Sequence, residues 1–242
     1  MGAGGSIPVL IDKEIEEKGL YLQTVEDELN VLESRLNATL HCWQSLLKSC
    51  EGVSNCFLNL AHGVDSETNA VAKDFDSEVR VLKEGEKMTA LLFDTAQIMK
   101  SIARPVLMQR EKATKLHKAV LDAMRFYSKL RQDVEKIEVA AARKNKPLAE
   151  DSVYVKKVKE RDLAFGKLES TKNLFHEAMS QLMDVMSGFV LNGLAKYTLC
   201  TSSYTKCFVN ELERVQTTPR VAARITEIVK DIQQKSSTYC EE

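Results

Sequence analysis

The sequence predicts an all-α fold, an elongated antiparallel three-helix coiled-coil bundle with a long, kinked second helix. Three observations carry this. Ten glycines and four prolines (Pro8, Pro105, Pro147, Pro219) in 242 residues are too few to punctuate a many-stranded sheet. Apolar residues recur at steps of three and four over stretches far longer than any strand. Hydrophobic residues make up 44% of the chain and charged residues 29%, enough for a core beneath a heavily charged exterior.

The first helix has the cleanest seam: Leu22, Val25, Leu29, Leu32, Leu36, Thr39, Trp43, Leu46, Cys50, Val53, Phe57 and Leu60. Such spacing, apolar at all but Thr39, is that of a coiled coil. His62-Gly63 closes this helix, and Asp65 or Ser66 caps the next. The second helix is expected from about residue 67 to about 144, with a frame through Leu92, Thr95, Met99, Ile102, Val106, Ala113, Val120, Tyr127, Val134 and Ala141. Pro105 lies inside that pattern, which continues in the same frame on both sides, so a kink is expected rather than a break. At 1.5 Å per residue such a helix is about 110 Å long. Lys146-Pro147 ends it, and Asp151 or Ser152 caps a third helix reaching about Thr217, where Pro219 stops it. A short amphipathic tail follows, with Val221, Ile225, Ile228 and Ile232 on one side. Short connections make neighbouring helices antiparallel. The expected organisation is an N-terminal segment over 1–14, one three-helix domain over 15–217 and a tail over 218–242.

The six cysteines form no CxxC pair and have no histidine at zinc-ligand spacing, so they are read as small apolar residues. Neither a signal peptide nor an apolar run of membrane-spanning length is present, which points to the cytoplasm. His41, His62, His117 and His176 are scattered, and no phosphate loop, nucleophile elbow or Glu-x-x-His pair occurs. The chain is read as a non-enzyme, with no metal and no cofactor.

Charge is unevenly spread. Residues 1–103 carry 9 basic against 17 acidic side chains, residues 104–172 carry 18 against 10, and residues 173–242 carry 7 against 8. Three segments are almost free of charge. Residues 40–62 contain only Lys48 and Glu51, residues 88–103 only Asp94 and Lys100, and residues 179–210 only Asp184, Lys196 and Lys206. A bundle helix needs one apolar stripe, and helices uncharged all round need a second face covered. A homodimer interface is therefore expected on these segments, involving Trp43, Leu47, Phe57, Met186, Leu194 and Tyr197.

The basic excess forms a stripe. Outward positions of the second helix hold Lys115, Lys118, Arg125, Lys129, Lys136, Arg143 and Lys146, opposed by Glu111 and Asp122. Lys144 adds to the turn, and Lys156, Lys157, Lys159 and Arg161 open the third helix. Aromatic residues hardly interleave with these positions and no recognition motif is present, which argues against nucleic acid. An anionic phospholipid surface suits a long positive face, each Lys or Arg contributing about 1 kcal/mol.

Three long helices, a proline in the second, the basic turn Arg143-Lys144-Asn145-Lys146-Pro147 and low-charge segments resemble the BAR domain over roughly residues 15–217. The resemblance implies a curved, crescent-shaped homodimer that binds anionic membranes as a peripheral protein in endocytosis or trafficking, sensing or generating curvature. It also implies that Lys115 to Lys146 and Lys156 to Arg161 face lipid. The acidic, proline-broken start (Ile7-Pro8-Val9 to Glu17) departs from the basic wedge helix of many members. Met1-Gly2-Ala3-Gly4-Gly5-Ser6 instead fits the pattern for myristoylation at Gly2, a weak anchor that needs a second signal such as a basic face. The alternatives are the same fold as a small-GTPase-binding scaffold, or a spectrin-like cytoskeletal spacer. The latter would show a fixed internal repeat, and none is seen.

Overall fold

A computed structural model of the chain describes residues 12–144, 147–148 and 150–239, and among these it is all-α. The elements are α1 (Lys13–Ala61), α2 (Ser66–Glu84), α3 (Glu86–Gln97), a π-helical turn (Ile98–Ile102), α4 (Arg104–Arg143), α5 (Ser152–Gln216) and α6 (Pro219–Tyr239). Their ends follow local chemistry. Gly63 takes φ 89° after α1, a left-handed turn that glycine enters without a Cβ clash. The Asp65 carboxylate caps α2 by accepting from the Thr68 amide at 2.9 Å, and Asp151 caps α5 by accepting from the Val153 amide at 3.0 Å. Pro219 ends α5 and opens α6, where its missing N–H costs nothing.

The expected continuous second helix is instead interrupted twice. At Gly85 the backbone is extended (φ −73°, ψ 170°), and its amide donates to the Val81 carbonyl. A Cβ there would stand 2.3 Å from that carbonyl oxygen, so the close approach requires glycine. The second interruption is the π turn before Pro105. Buried positions step 88, 91, 95, 98, then by five to 103, then 106, 113 and 120. The extra residue shifts the core face by one position, so the frame expected through Leu92, Met99 and Ile102 holds only from Val106 onward. Pro105 sits in the first turn of α4, where it causes no loss of a helical hydrogen bond.

Contacts divide the chain into two compact units, residues 1–31 with 103–191 and residues 32–102 with 192–242. In the first, α4 runs antiparallel to both α1 and α5. Arg110 donates to the Leu22 carbonyl at 3.1 Å and pairs with Glu26, and Gln109 donates to the Ala178 carbonyl at 3.0 Å. Nearer the end of α4, Tyr127 stacks on Phe165 and Tyr154 donates to Glu138 at 2.9 Å. Ile15, Val106, Val120, Leu168, Phe175 and Leu182 are fully buried between them. Each such side chain contributes about 1.5–3 kcal/mol. The His117 ring lies over Gly19 and beside Phe175, a fit that a Cβ at Gly19 would obstruct at 2.4 Å.

In the second unit, Leu47, Leu82, Met88, Leu91, Cys200 and Tyr204 form the core, with Trp43 and Phe208 packed against it. Trp43 meets the Tyr204 ring edge-on at 5.0 Å. The Tyr204 hydroxyl donates to the Leu82 carbonyl at 2.9 Å. Leu82 lies in the last turn of α2, where carbonyls have no partner inside the helix, so this hydroxyl satisfies a group exposed by the break at Gly85. Burial pushes the phenol up to about 12. Tyr204→Phe should therefore cost about 1–3 kcal/mol, read as a lower midpoint in urea with an unchanged slope. An unchanged midpoint would mean that the carbonyl finds another donor.

The same unit contains two adjoining carboxyls, Glu78 on α2 and Glu211 on α5, with Arg214 beside them. A hydrogen bond shared with Glu211, then burial, then repulsion from Glu211 hold Glu78 above the ordinary carboxylate range. Glu78 thus holds its proton more tightly in the folded state than in the unfolded chain. Stability falls as pH rises from about the unfolded value of 4.5 through the raised folded value. Glu78→Gln should raise the melting temperature at pH 7 and change it little at pH 4; an equal gain at both would refute the shared proton.

Candidate functional site

Two surfaces stand out, one in each unit. The first is cationic and lies on α4 and the start of α5. Lys115, Lys118, Arg125, Lys129, Lys136, Arg143, Lys144, Lys156 and Lys159 are all exposed, whereas Lys157 and Arg161 are half-buried. Lys115 pairs with Glu111, Arg125 with Asp122, Lys136 with Asp133, Lys157 with Glu160 and Arg161 with Asp162. The bond to Asp162 comes first among the causes that raise Arg161 above its usual range. Lys118, Lys129, Arg143, Lys144, Lys156 and Lys159 have no ion-pair partner among the described residues, and these six carry the uncompensated charge. Lys146 and Gly2 lie outside the described residues.

The sequence places these cations outward for a simple reason. On α4 the buried positions Val106, Ala113, Val120, Val134 and Ala141 recur at sevens, and Lys118, Arg125, Lys129, Lys136 and Arg143 fall on the opposite side of that frame. The inward face is small and apolar, so the long side chains have only solvent to enter.

The second surface is apolar. In the second unit α1 buries Leu47, Ser54 and Ala61, one position away from the expected seam, which leaves Leu46, Val53, Phe57 and Leu60 exposed by 44–74% along its other side. Phe93 and Leu194 are exposed by 62% and 60%, and Leu199 is similarly open. Of the residues expected at a dimer interface, Phe57 and Leu194 are exposed, and Met186 and Tyr197 are half-buried. Leu47, also expected there, is interior to its own unit, and Trp43 packs on Tyr204 and Phe208. Leu46, Val53 and Leu60, expected in the core seam, are exposed, as is Phe93.

Phe57, Leu60 and Val64 also form one wall of an open apolar groove of about 760 Å³, completed by Phe75 of α2 and by Ile225 and Ile228 of α6. The start of α6 is held there by Arg220, which donates to Asp65 at 2.5 Å and to the Thr68 hydroxyl at 2.6 Å. The Arg220 guanidinium, with the Thr68 amide and hydroxyl, holds the Asp65 carboxyl far below the usual carboxylate range. Among the described residues there is no cluster of His, Cys, Asp or Glu that could hold a metal, and no helix long and apolar enough to cross a membrane. In comparisons with known proteins, no family model matches the chain and no curated protein matches it.

Proposed function

We propose that this chain is a peripheral membrane-binding protein of the BAR type, acting as a two-fold homodimer that senses or generates curvature on anionic membranes. The proposal includes the elongated three-helix architecture and the curved dimer expected from the sequence. The observation that carries it is the set of exposed cations on α4 and the first turns of α5 that lack acidic partners. A solvated helix surface ordinarily mixes signs, and a run of unpaired cations favours a polyanionic partner. Aromatic side chains that would stack on bases are sparse at these positions, which favours phospholipid over nucleic acid. The large apolar side chains exposed in the second unit support the dimer, since a partner would cover them. Myristoylation at Gly2 belongs to the same proposal: one acyl chain is a weak anchor, and the cationic surface supplies the second signal it needs.

Electron microscopy of anionic liposomes with and without the purified protein tests the reading. Coated narrow tubules are the expected result for a curvature generator, and bound but undeformed liposomes for a sensor. Bare liposomes at both low and physiological salt would overturn the membrane reading and favour a scaffold for a small GTPase.

A further inference from the structure

A stripe on α5 begins at Lys156 and Lys159 of the cationic set and continues beyond it, combining lysines with exposed leucines. Residues Lys156, Lys159, Leu163, Lys167, Ser170 and Leu174 follow one another at steps of three and four, so they share one side of the helix, and all six are exposed. Leu163 is 76% exposed, more than any other large hydrophobic residue of the described chain, and Leu174 is 51% exposed. No Asp or Glu occurs in the stripe. Of the neighbouring acids, Glu160 pairs with Lys157, Asp162 with Arg161 and Glu169 with Lys172, while Glu150 and Glu160 flank the stripe beside Lys156 and Lys159. At 1.5 Å per residue the stripe is about 27 Å long, and its two leucines are about 16 Å apart.

A single exposed leucine is ordinary on a protein surface. Two leucines aligned with three lysines, and with no acid between them, make an amphiphilic line. We infer that this line is a bilayer contact in which Leu163 and Leu174 enter the boundary between headgroups and acyl chains while Lys156, Lys159 and Lys167 meet the phosphates. The inference rests on the membrane reading above and adds to it an apolar component that a purely electrostatic surface lacks. A second copy of the chain is a poor occupant, because the stripe carries only positive charge and would meet its own like. Lysine stems lie along apolar material while their ammonium groups stay in the polar layer, so the two residue types cooperate at that depth.

The test uses the full chain with Leu163→Trp. The wild type has one tryptophan, Trp43, packed against the interior of the second unit, and it supplies the baseline. Vesicles of phosphatidylcholine and phosphatidylserine with brominated acyl chains quench only indoles that reach the acyl boundary. The variant should be quenched well beyond the wild type. In parallel, Leu163→Ser with Leu174→Ser should lower vesicle affinity at physiological salt by roughly tenfold per leucine. Sedimentation with vesicles but no added quenching would overturn the anchor and leave an electrostatic surface. Failure to sediment at any salt would overturn both the anchor and the membrane reading. An emission shift of the variant on polyglutamate but not on vesicles would overturn the bilayer assignment in favour of an acidic polypeptide.

Discussion

Phe57→Asp combined with Leu194→Asp is expected to convert the protein to a monomer without unfolding it. Both side chains are more than half exposed on the protomer, so neither aspartate disturbs a core. In the proposed dimer they are covered, and each carboxylate buried without a partner costs about 3 kcal/mol or more. The homodimer would bury four such carboxylates, and two of these costs alone raise the dissociation constant by roughly four orders of magnitude. Sedimentation equilibrium gives the mass, and circular dichroism gives the helix content. A dimer that persists in the double variant would mean that the apolar surface of the second unit is not the interface. A monomeric wild type at micromolar concentration would remove the dimer altogether.

Replacing Lys118, Lys129, Lys156 and Lys159 by Glu is the second large effect. None of the four makes an ion pair among the described residues, so the melting temperature should be nearly unchanged. Each contributes about 1 kcal/mol near an anionic surface, so the loss of four weakens binding by about 4 kcal/mol, roughly a thousandfold. The introduced carboxylates add repulsion to that loss. Co-sedimentation with phosphatidylserine vesicles reads the change. Unaltered binding would remove this surface from the mechanism.

The elements that were legible in the sequence are those governed by local chemistry. Gly63, Asp65, Asp151 and Pro219 end or cap helices through atoms within a few residues of themselves, so the boundaries near them could be read directly. What could not be read was which side of an apolar helix turns inward. From residue 46 onward α1 is apolar on two sides, and Leu46-Leu47 and Val53-Ser54 offer either frame. Packing on Tyr204 and the Ser54–Asp76 hydrogen bond of 2.7 Å select the frame containing Leu47 and Ser54. The π turn at 98–102 has the same origin. It lets Ile98 and Ala103, five positions apart, both be buried. The break at Gly85 was visible as a glycine between Glu84 and Glu86, yet the apolar pattern around it masked the signal. The cationic residues were legible because their charge survives any one-residue error in frame. Leu163 lies off the apolar stripe of its helix, so the apolar periodicity does not mark it.

The most direct test of the central claim is co-sedimentation of the wild-type protein with vesicles of equal size, either neutral phosphatidylcholine or phosphatidylcholine with phosphatidylserine, over a salt series. The account predicts strong binding to the anionic vesicles at low salt, a graded loss as the Debye length shortens from about 30 Å at 0.01 M to about 8 Å at 0.15 M, and little binding to neutral vesicles. Equal binding to both vesicle types, or none to either from a folded dimer, would contradict it.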